Sequence, residues 1–188
     1  TNTPVGKLHP KEEALIKKLR QENSHYKRLD KTVLLSILAA RKATDQASWK
    51  KEKSVSVNLG SSRGATQLFE KYHKIFLSSN NHRTMPRVSP TTTLGNLSSW
   101  VAYDLGLKGT SFSHSITCST ALHSVLNAIA WIQSDMTNKF IIGGSEAPLS
   151  DFTISQIRAL KIYSNKKGNY SSLPLELNKK ENTLILGE

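Results

Sequence analysis

Short apolar strand patterns alternate along this chain with longer helical ones, and that alternation leaves few architectures open to it. Ser54-Val55-Ser56-Val57-Asn58-Leu59 alternates with the period of a strand and stops at Gly60. Gly109 to Thr117 reads as a second strand. Lys139-Phe140-Ile141-Ile142 reads as a short buried one that stops at Gly143-Gly144, and Thr183-Leu184-Ile185-Leu186 as a last one. Helical spacing fills the gaps. Ala65, Leu68, Phe69, Tyr72 and Phe76 keep it after the first strand, and Thr91 to Leu105 predicts a helix ending at Gly106. Ser119 to Trp131 predicts another, in which Leu122, Val125, Leu126, Ile129 and Ile132 make a broad apolar face while Ala121, Ala128 and Ala130 allow close packing. Ile154 to Leu160 predicts a further helix. Strands and helices in this order predict a layered α/β fold, and 188 residues suit one domain with a real core.

Two helices are expected to open the chain within residues 1–46, ahead of a core over 54–188. Pro10 fits a first helical position, with Glu12 and Glu13 favourably placed near the helix start, and Leu15, Leu19, Tyr26 and Leu29 fall near one face. Asp30 is placed to cap the second helix, whose stripe is Val33, Leu34, Ile37 and Leu38. Ala47 to Lys53 is a polar linker. Ser78 to Pro90 reads as a surface loop and Asn165 to Gly168 as a turn. Gly60-Ser61-Ser62-Arg63-Gly64 turns a strand into a helix and invites comparison with a phosphate cradle. It lacks the Gly-Lys-Ser/Thr of a P-loop and the full dinucleotide spacing, so a structural turn is the better reading.

The formal net charge of +12 is concentrated at one end. Residues 1–87 hold 18 Lys and Arg against 7 Asp and Glu, whereas residues 88–188 hold 8 against 7. A basic half suggests an acidic partner; the plainer alternative is a solvated lysine-rich surface. Aromatics are not interleaved with the basic residues, and helix-turn-helix and zinc-finger signatures are missing, which argues against nucleic acid. No apolar run approaches a membrane span, no signal-peptide pattern opens the sequence, and a single cysteine cannot form an internal disulfide. These features predict a cytoplasmic protein without a membrane partner.

That cysteine, Cys118, sits where the second strand turns into a helix. The unpaired N–H groups and dipole of a first helical turn stabilise a thiolate, which is the nucleophilic form. The competing expectation is a small buried hydrophobe. His114 on the strand and His123 on the helix are the only histidines near Cys118 in sequence, and either is a candidate base, although a surface or core histidine is the plainer reading of both. The six histidines contain no His-x-x-x-His pair and no second cysteine exists, so no metal site is expected.

From Gly106-Leu107-Lys108-Gly109 through Cys118-Ser119-Thr120-Ala121-Leu122 the chain resembles the β-ketoacyl-acyl-carrier-protein synthases, condensing enzymes with the thiolase-like fold. Further landmarks fall in the family's order: Val57-Asn58-Leu59-Gly60-Ser61, then Asn96, then Ile142-Gly143-Gly144-Ser145-Glu146, then Leu184-Ile185-Leu186-Gly187-Glu188. There are departures. Thr110 stands where the family usually has proline, His114 where it has an apolar residue, and Leu175 where it has phenylalanine, and the arginine expected before the Gly-Glu motif is missing.

The resemblance implies a thiolase-like layered half-domain with a mixed sheet packed between helices, corresponding to the family's N-terminal half. The two active-site histidines, the lysine and the glycine-rich oxyanion loop belong to the family's second half and lie outside these residues, so the chain alone is expected to lack condensing activity. Cys118 is implied as the acyl-accepting nucleophile, with its own N–H as one oxyanion donor and no organic or metal cofactor. The implied partners are an acidic acyl carrier protein and an acyl thioester, with Lys71, Lys74, Arg83 and Arg87 as candidate carrier contacts by charge. Gly109 to Ile116 is implied at a homodimer or heterodimer interface. Two alternatives accompany this reading: a non-catalytic partner subunit of the chain-length-factor type, against which Cys118 itself argues, and a basic nucleic-acid-binding domain.

Overall fold

The computed structural model describes residues 3–94, 96–166, 172–178 and 180–188. Helix α1 covers Pro10–Glu22, with proline in its first turn and Glu12 and Glu13 beside it, as the sequence predicts. His9 caps it, its Nδ1 accepting from the Lys11 N–H. The buried face is turned slightly from the expected one: Ile16 and Leu19 are buried and Leu15 is exposed. After a 3-10 turn at Tyr26–Arg28, α2 covers Lys31–Gln46. Asp30 caps α2 as expected, Oδ1 accepting from the Thr32 N–H at 2.9 Å, and its Oδ2 accepts from the Leu68 N–H at 3.1 Å. One buried carboxylate thereby ties two helix starts together. Its desolvation raises the Asp30 pKa above the ordinary carboxylate value, against the opposing pull of those hydrogen bonds.

The sheet consists of β1 (Ser56–Gly60), β2 (Ser111–His114) and β3 (Phe140–Gly144) in the order β2-β1-β3. Both pairings are parallel, so the expected mixed sheet is corrected to a parallel one. Helices in each crossover return the chain to the same end of the sheet, which is what parallel pairing requires. Helices α3 (Thr66–Ser78), α4 (Val88–Thr92) and α5 (Asn96–Leu105) join β1 to β2. Helix α6 (Thr120–Gln133) joins β2 to β3, and α7 (Asp151–Ala159) follows β3.

The single helix expected over Thr91 to Leu105 is thus divided, and Pro90 belongs to α4 rather than to a loop. Helix α5 does end where predicted. Gly106 takes φ +62°, a left-handed conformation that glycine adopts without a Cβ clash, and the Leu107 N–H donates back to the Ala102 carbonyl.

Thr183 to Leu186 does not join the sheet. Leu184 bridges Tyr163 and Gly187 bridges Gly6, each as an isolated pair. An apolar alternation says which side chains can turn inward but not which backbone they will find. The turn expected at Asn165 to Gly168 extends outside the described residues.

Strand β1 is buried throughout, as a central parallel strand should be. Val57 and Leu59 enter a core with Val33, Ile37, Leu97 and Val101, on the side of α2 and α5. Ser98 of α5 locks that side to the sheet: its Oγ accepts from the Leu59 N–H at 2.8 Å and donates to the Phe112 carbonyl at 2.6 Å.

The opposite side meets α6, but through an unexpected face of the helix. Thr120, Ser124 and Ala128, one turn apart, are buried, while Leu122 and Leu126 are 65% and 57% exposed. The cause is close approach. A Cβ at Gly60 would stand 2.1 Å from Thr120 Cγ2, and one at Gly144 would stand 3.1 Å from Ala121 Cβ. Only small side chains fit between backbones this near, so Leu122 and Leu126 face away from the sheet here, whereas Trp131 near the far end of α6 stacks on Phe112 of β2. Among the described residues no helix is long and apolar enough to cross a membrane.

Candidate functional site

Parallel strands place their carboxyl ends along one edge. Here Gly60, His114 and Gly144 stand side by side in register. In open α/β sheets ligands bind outside that edge, in the loops that leave it. Three such loops converge here: the Gly60–Gly64 turn after β1, residues 115–119 after β2, and Ser145-Glu146 after β3.

The second of these carries Cys118. Thr117 immediately before it takes φ +47°, a conformation that a β-branched residue reaches only under strain. The strain is held by Thr120. Its Oγ1 accepts from the Ile116 N–H at 2.9 Å and donates to the Thr117 carbonyl at 2.6 Å, cinching the loop across its base. Cys118 is exposed at the tip, so the expectation of a buried hydrophobe is overturned. Helix α6 begins at Thr120 with Ser119 as its cap, one residue later than predicted. The Ser119 and Thr120 N–H groups donate to the Ile116 and Thr117 carbonyls. The expected unpaired donors at the helix start are therefore already occupied at the two positions nearest the thiol.

The turn after β1 is structural, as its sequence suggests, and the reason lies in β3. Glu146 Oε1 accepts from Ser61 Oγ at 2.9 Å, from Ser62 Oγ at 2.8 Å and from the Ser62 N–H. A carboxylate of the protein occupies the anion position that a phosphate cradle would offer. Ser61 Oγ also accepts from the Gly64 N–H, and the Ser145 N–H donates to the Gly60 carbonyl at 3.1 Å. Glu146 was visible in the sequence only as the end of a glycine motif. The signal for its role was a Gly-Ser-Ser-x-Gly turn with donors to satisfy, facing an acid that follows a short apolar strand, although only Ile141 of that strand is buried.

Neither nearby histidine pairs with the thiol. His114 uses both ring nitrogens elsewhere, on Asn58 Oδ1 and on the Thr120 carbonyl, each at 2.9 Å. His123 Nδ1 lies 3.1 Å from the Ser119 carbonyl, within its own helix. Both rings are thus engaged within the fold, in keeping with the plainer reading of each.

The basic end of the sequence forms a groove of about 670 Å³ between the 3-10 turn and α3. Arg20, Lys27, Arg28, Lys31, Lys71 and Arg87 line it, with Asp30 as its acid. Of the four cations selected by charge, Lys71 and Arg87 lie here, and Lys74 and Arg83 do not. Sequence reasoning missed Arg20, Lys27, Arg28 and Lys31 because the groove brings together residues far apart in the chain.

Comparison with known proteins converges on one family. Residues 4–174 match the β-ketoacyl synthase N-terminal domain. The chain is 28% identical over 142 residues to 3-oxoacyl-[acyl-carrier-protein] synthase 2 of Staphylococcus aureus, covering 73% of this chain and 35% of that protein. It is 26% identical over 142 residues to nodulation protein E of Rhizobium sp. (strain N33), covering 71% and 34%. The chain thus spans about a third of the length of the curated relatives it matches.

Among solved structures, a β-ketoacyl synthase from Burkholderia phymatum STM815 superimposes with a TM-score of 0.70 at 18% identity, covering 85% of this chain and 40% of that one. A chain from a type II polyketide acyl-carrier protein in complex with its ketosynthase, bound to the hexaketide, superimposes with a TM-score of 0.76 at 17% identity, covering 98% and 44%. These likenesses give the fold, and the sequence match over residues 4–174 gives the lineage: the chain belongs to the β-ketoacyl synthase family and carries its N-terminal domain.

Proposed function

We propose that Cys118 is the acyl-accepting nucleophile of a 3-oxoacyl-[acyl-carrier-protein] synthase of fatty acid or polyketide synthesis. The observation that carries this reading is an exposed thiol on a strained, cinched loop at the carboxyl edge of a parallel sheet, in a chain of this family. The Cys118 thiolate attacks the carbonyl carbon of a carrier-bound acyl thioester. The new Sγ–C bond forms as the carrier's S–C bond breaks, and the carrier thiolate leaves and takes a proton from water. The Cys118 N–H supplies one donor to the tetrahedral oxyanion. Loss of CO₂ from a malonyl carrier then leaves a carbanion, whose attack on the acyl-Cys118 thioester forms the C–C bond and releases the thiolate. The resemblance assigns the histidines that assist this second step, and the glycine-rich oxyanion loop, to the family's second half, so residues 1–188 carry the nucleophile and not the condensation.

The basic groove supports an acidic carrier protein as partner, since six cations facing one acid create a field that steers an acidic surface toward the chain. Strand β2 stands at an edge of the sheet, which supports pairing with a second ketosynthase-type chain across its free side, as the resemblance implies. The test is mass spectrometry after incubation with a fatty acyl thioester or a cerulenin-type electrophile. An adduct on the peptide containing Cys118 is expected. Its absence would remove the nucleophile assignment.

A further inference from the structure

His114 stands where the family usually has an apolar residue, and the acylation chemistry does not use it. Its surroundings are nevertheless specific. Nε2 lies 2.9 Å from the Thr120 carbonyl, a group that can only accept, so Nε2 carries the ring proton. Nδ1 is then a bare acceptor and requires a donor. The Asn58 amide lies 2.9 Å from it, and Asn58 is fully buried with no partner for its Nδ2. Turning that amide about its last bond exchanges two atoms of nearly equal shape and brings Nδ2–H onto Nδ1. The exchange leaves a carbonyl oxygen short of a donor, a cheaper defect than an orphaned N–H.

We propose that His114, as the Nε2–H tautomer fixed by Asn58, is a positioning residue that holds the Cys118 loop through Thr120. The connection is continuous. Asn58 lies on the central strand, His114 is anchored to it, and His114 grips the main chain of Thr120. The side chain of Thr120 cinches residues 116 and 117, and Cys118 follows them. The close approach at Gly60 leaves no slack in the joint, because Gly60 abuts both Thr120 Cγ2 and the His114 carbonyl. His114 therefore transmits the position of the sheet to the thiol without touching it.

This inference rests on Cys118 being the acyl acceptor, and its test separates the two readings. The wild-type chain, His114→Leu and His114→Gln are compared in acylation of Cys118 by an acyl thioester and in alkylation by iodoacetamide at pH 8. Gln can present its Nε2–H to the Thr120 carbonyl, whereas Leu cannot. Acylation demands an aligned attack, so His114→Leu is expected to slow it about tenfold, with His114→Gln within about twofold of wild type. Iodoacetamide needs no such alignment and should react with all three at rates within about threefold of one another.

A wild-type chain that is not acylated contradicts the acyl-acceptor reading and the inference with it. A wild-type chain that is acylated, with His114→Leu equal to it or His114→Gln as slow as His114→Leu, overturns the role of His114 alone. Imidazole ¹⁵N shifts of the wild type at pH 8 test the tautomer without any substitution. A protonated Nε2 beside a bare Nδ1 is expected, and the reverse tautomer overturns the proposal.

Discussion

Gly60→Ala is the perturbation that most directly probes how the sheet carries the Cys118 loop. The glycine is needed for space. An added Cβ would stand 2.1 Å from Thr120 Cγ2 and 2.7 Å from the His114 carbonyl oxygen. Ordinary carbon–carbon contact is ~3.5–4 Å, so the first separation must grow by roughly 1.4 Å or more. Neither neighbour yields easily. The carbonyl is strand backbone, and Thr120 is held by both bonds of its Oγ1.

Overpacking a tight core costs ~1–3 kcal/mol, and two unyielding neighbours place Gly60→Ala at about 3 kcal/mol. At ~2–4 °C per kcal/mol for a chain of this size, the thermal midpoint should fall by about 6–12 °C. Gly144→Ala is the control: its Cβ would meet Ala121 Cβ at 3.1 Å, and a shift of a few tenths of an ångström relieves it, for about 1 kcal/mol or less. Thr120→Ser removes Cγ2 and keeps the hydroxyl, so adding it to Gly60→Ala should recover roughly half the loss. The assay is urea unfolding of the four chains. Equal midpoints for Gly60→Ala and wild type, or a Thr120→Ser background that restores nothing, would refute the close-approach argument.

Three further outcomes follow from the same geometry. Asp104→Ala should cost about 2–4 kcal/mol in urea unfolding, because the buried carboxylate accepts two bonds from Arg41 and one from the Tyr26 hydroxyl. Burial, and then the Asp104 carboxylate, push the Tyr26 pKa well above its usual value. An acid whose folded pKa is raised gives stability that is complete below its unfolded pKa, near 10, and is lost as pH rises above it; Tyr26→Phe should therefore flatten the alkaline decline measured by urea midpoints above about pH 10. Affinity for an acidic carrier protein should fall about tenfold or more between 50 and 500 mM NaCl, and Lys27→Glu with Arg28→Glu should abolish most of that salt dependence; an affinity insensitive to salt removes the groove as a docking surface.

Much of the fold was legible because its signals are local. Pro10, the Asp30 cap and the Gly106 stop each act within a turn of their own position, and each element begins or ends where they place it. The three sheet strands were legible too, β1 and β3 as short apolar runs stopped by glycine and β2 as the run between Gly109 and the helical pattern of α6.

The misplaced features are those decided at a distance. The buried side of α6 is set by how closely the helix approaches Gly60 and Gly144, and that distance reverses the usual preference for large apolar residues inside. The run Thr183 to Leu186 carries a strand pattern but meets loops instead of a sheet edge. Within the site, Cys118 was visible from its position between two patterns. The Glu146 clasp was not, because it joins residues about 85 positions apart. His114 stands out in the sequence as a departure, but its grip on Thr120 depends on a strand register that no spacing reveals.

The proposed reaction needs the folded loop to present Cys118 for acyl transfer from a carrier. Peptide mapping by mass spectrometry, after incubation of the folded chain with an acyl-loaded carrier protein, tests it most directly. The acyl mass is expected on the peptide containing Cys118, and is expected to be missing when the chain is first unfolded in urea. An unlabelled Cys118 in the folded chain, or equal labelling of folded and unfolded chains, would contradict it.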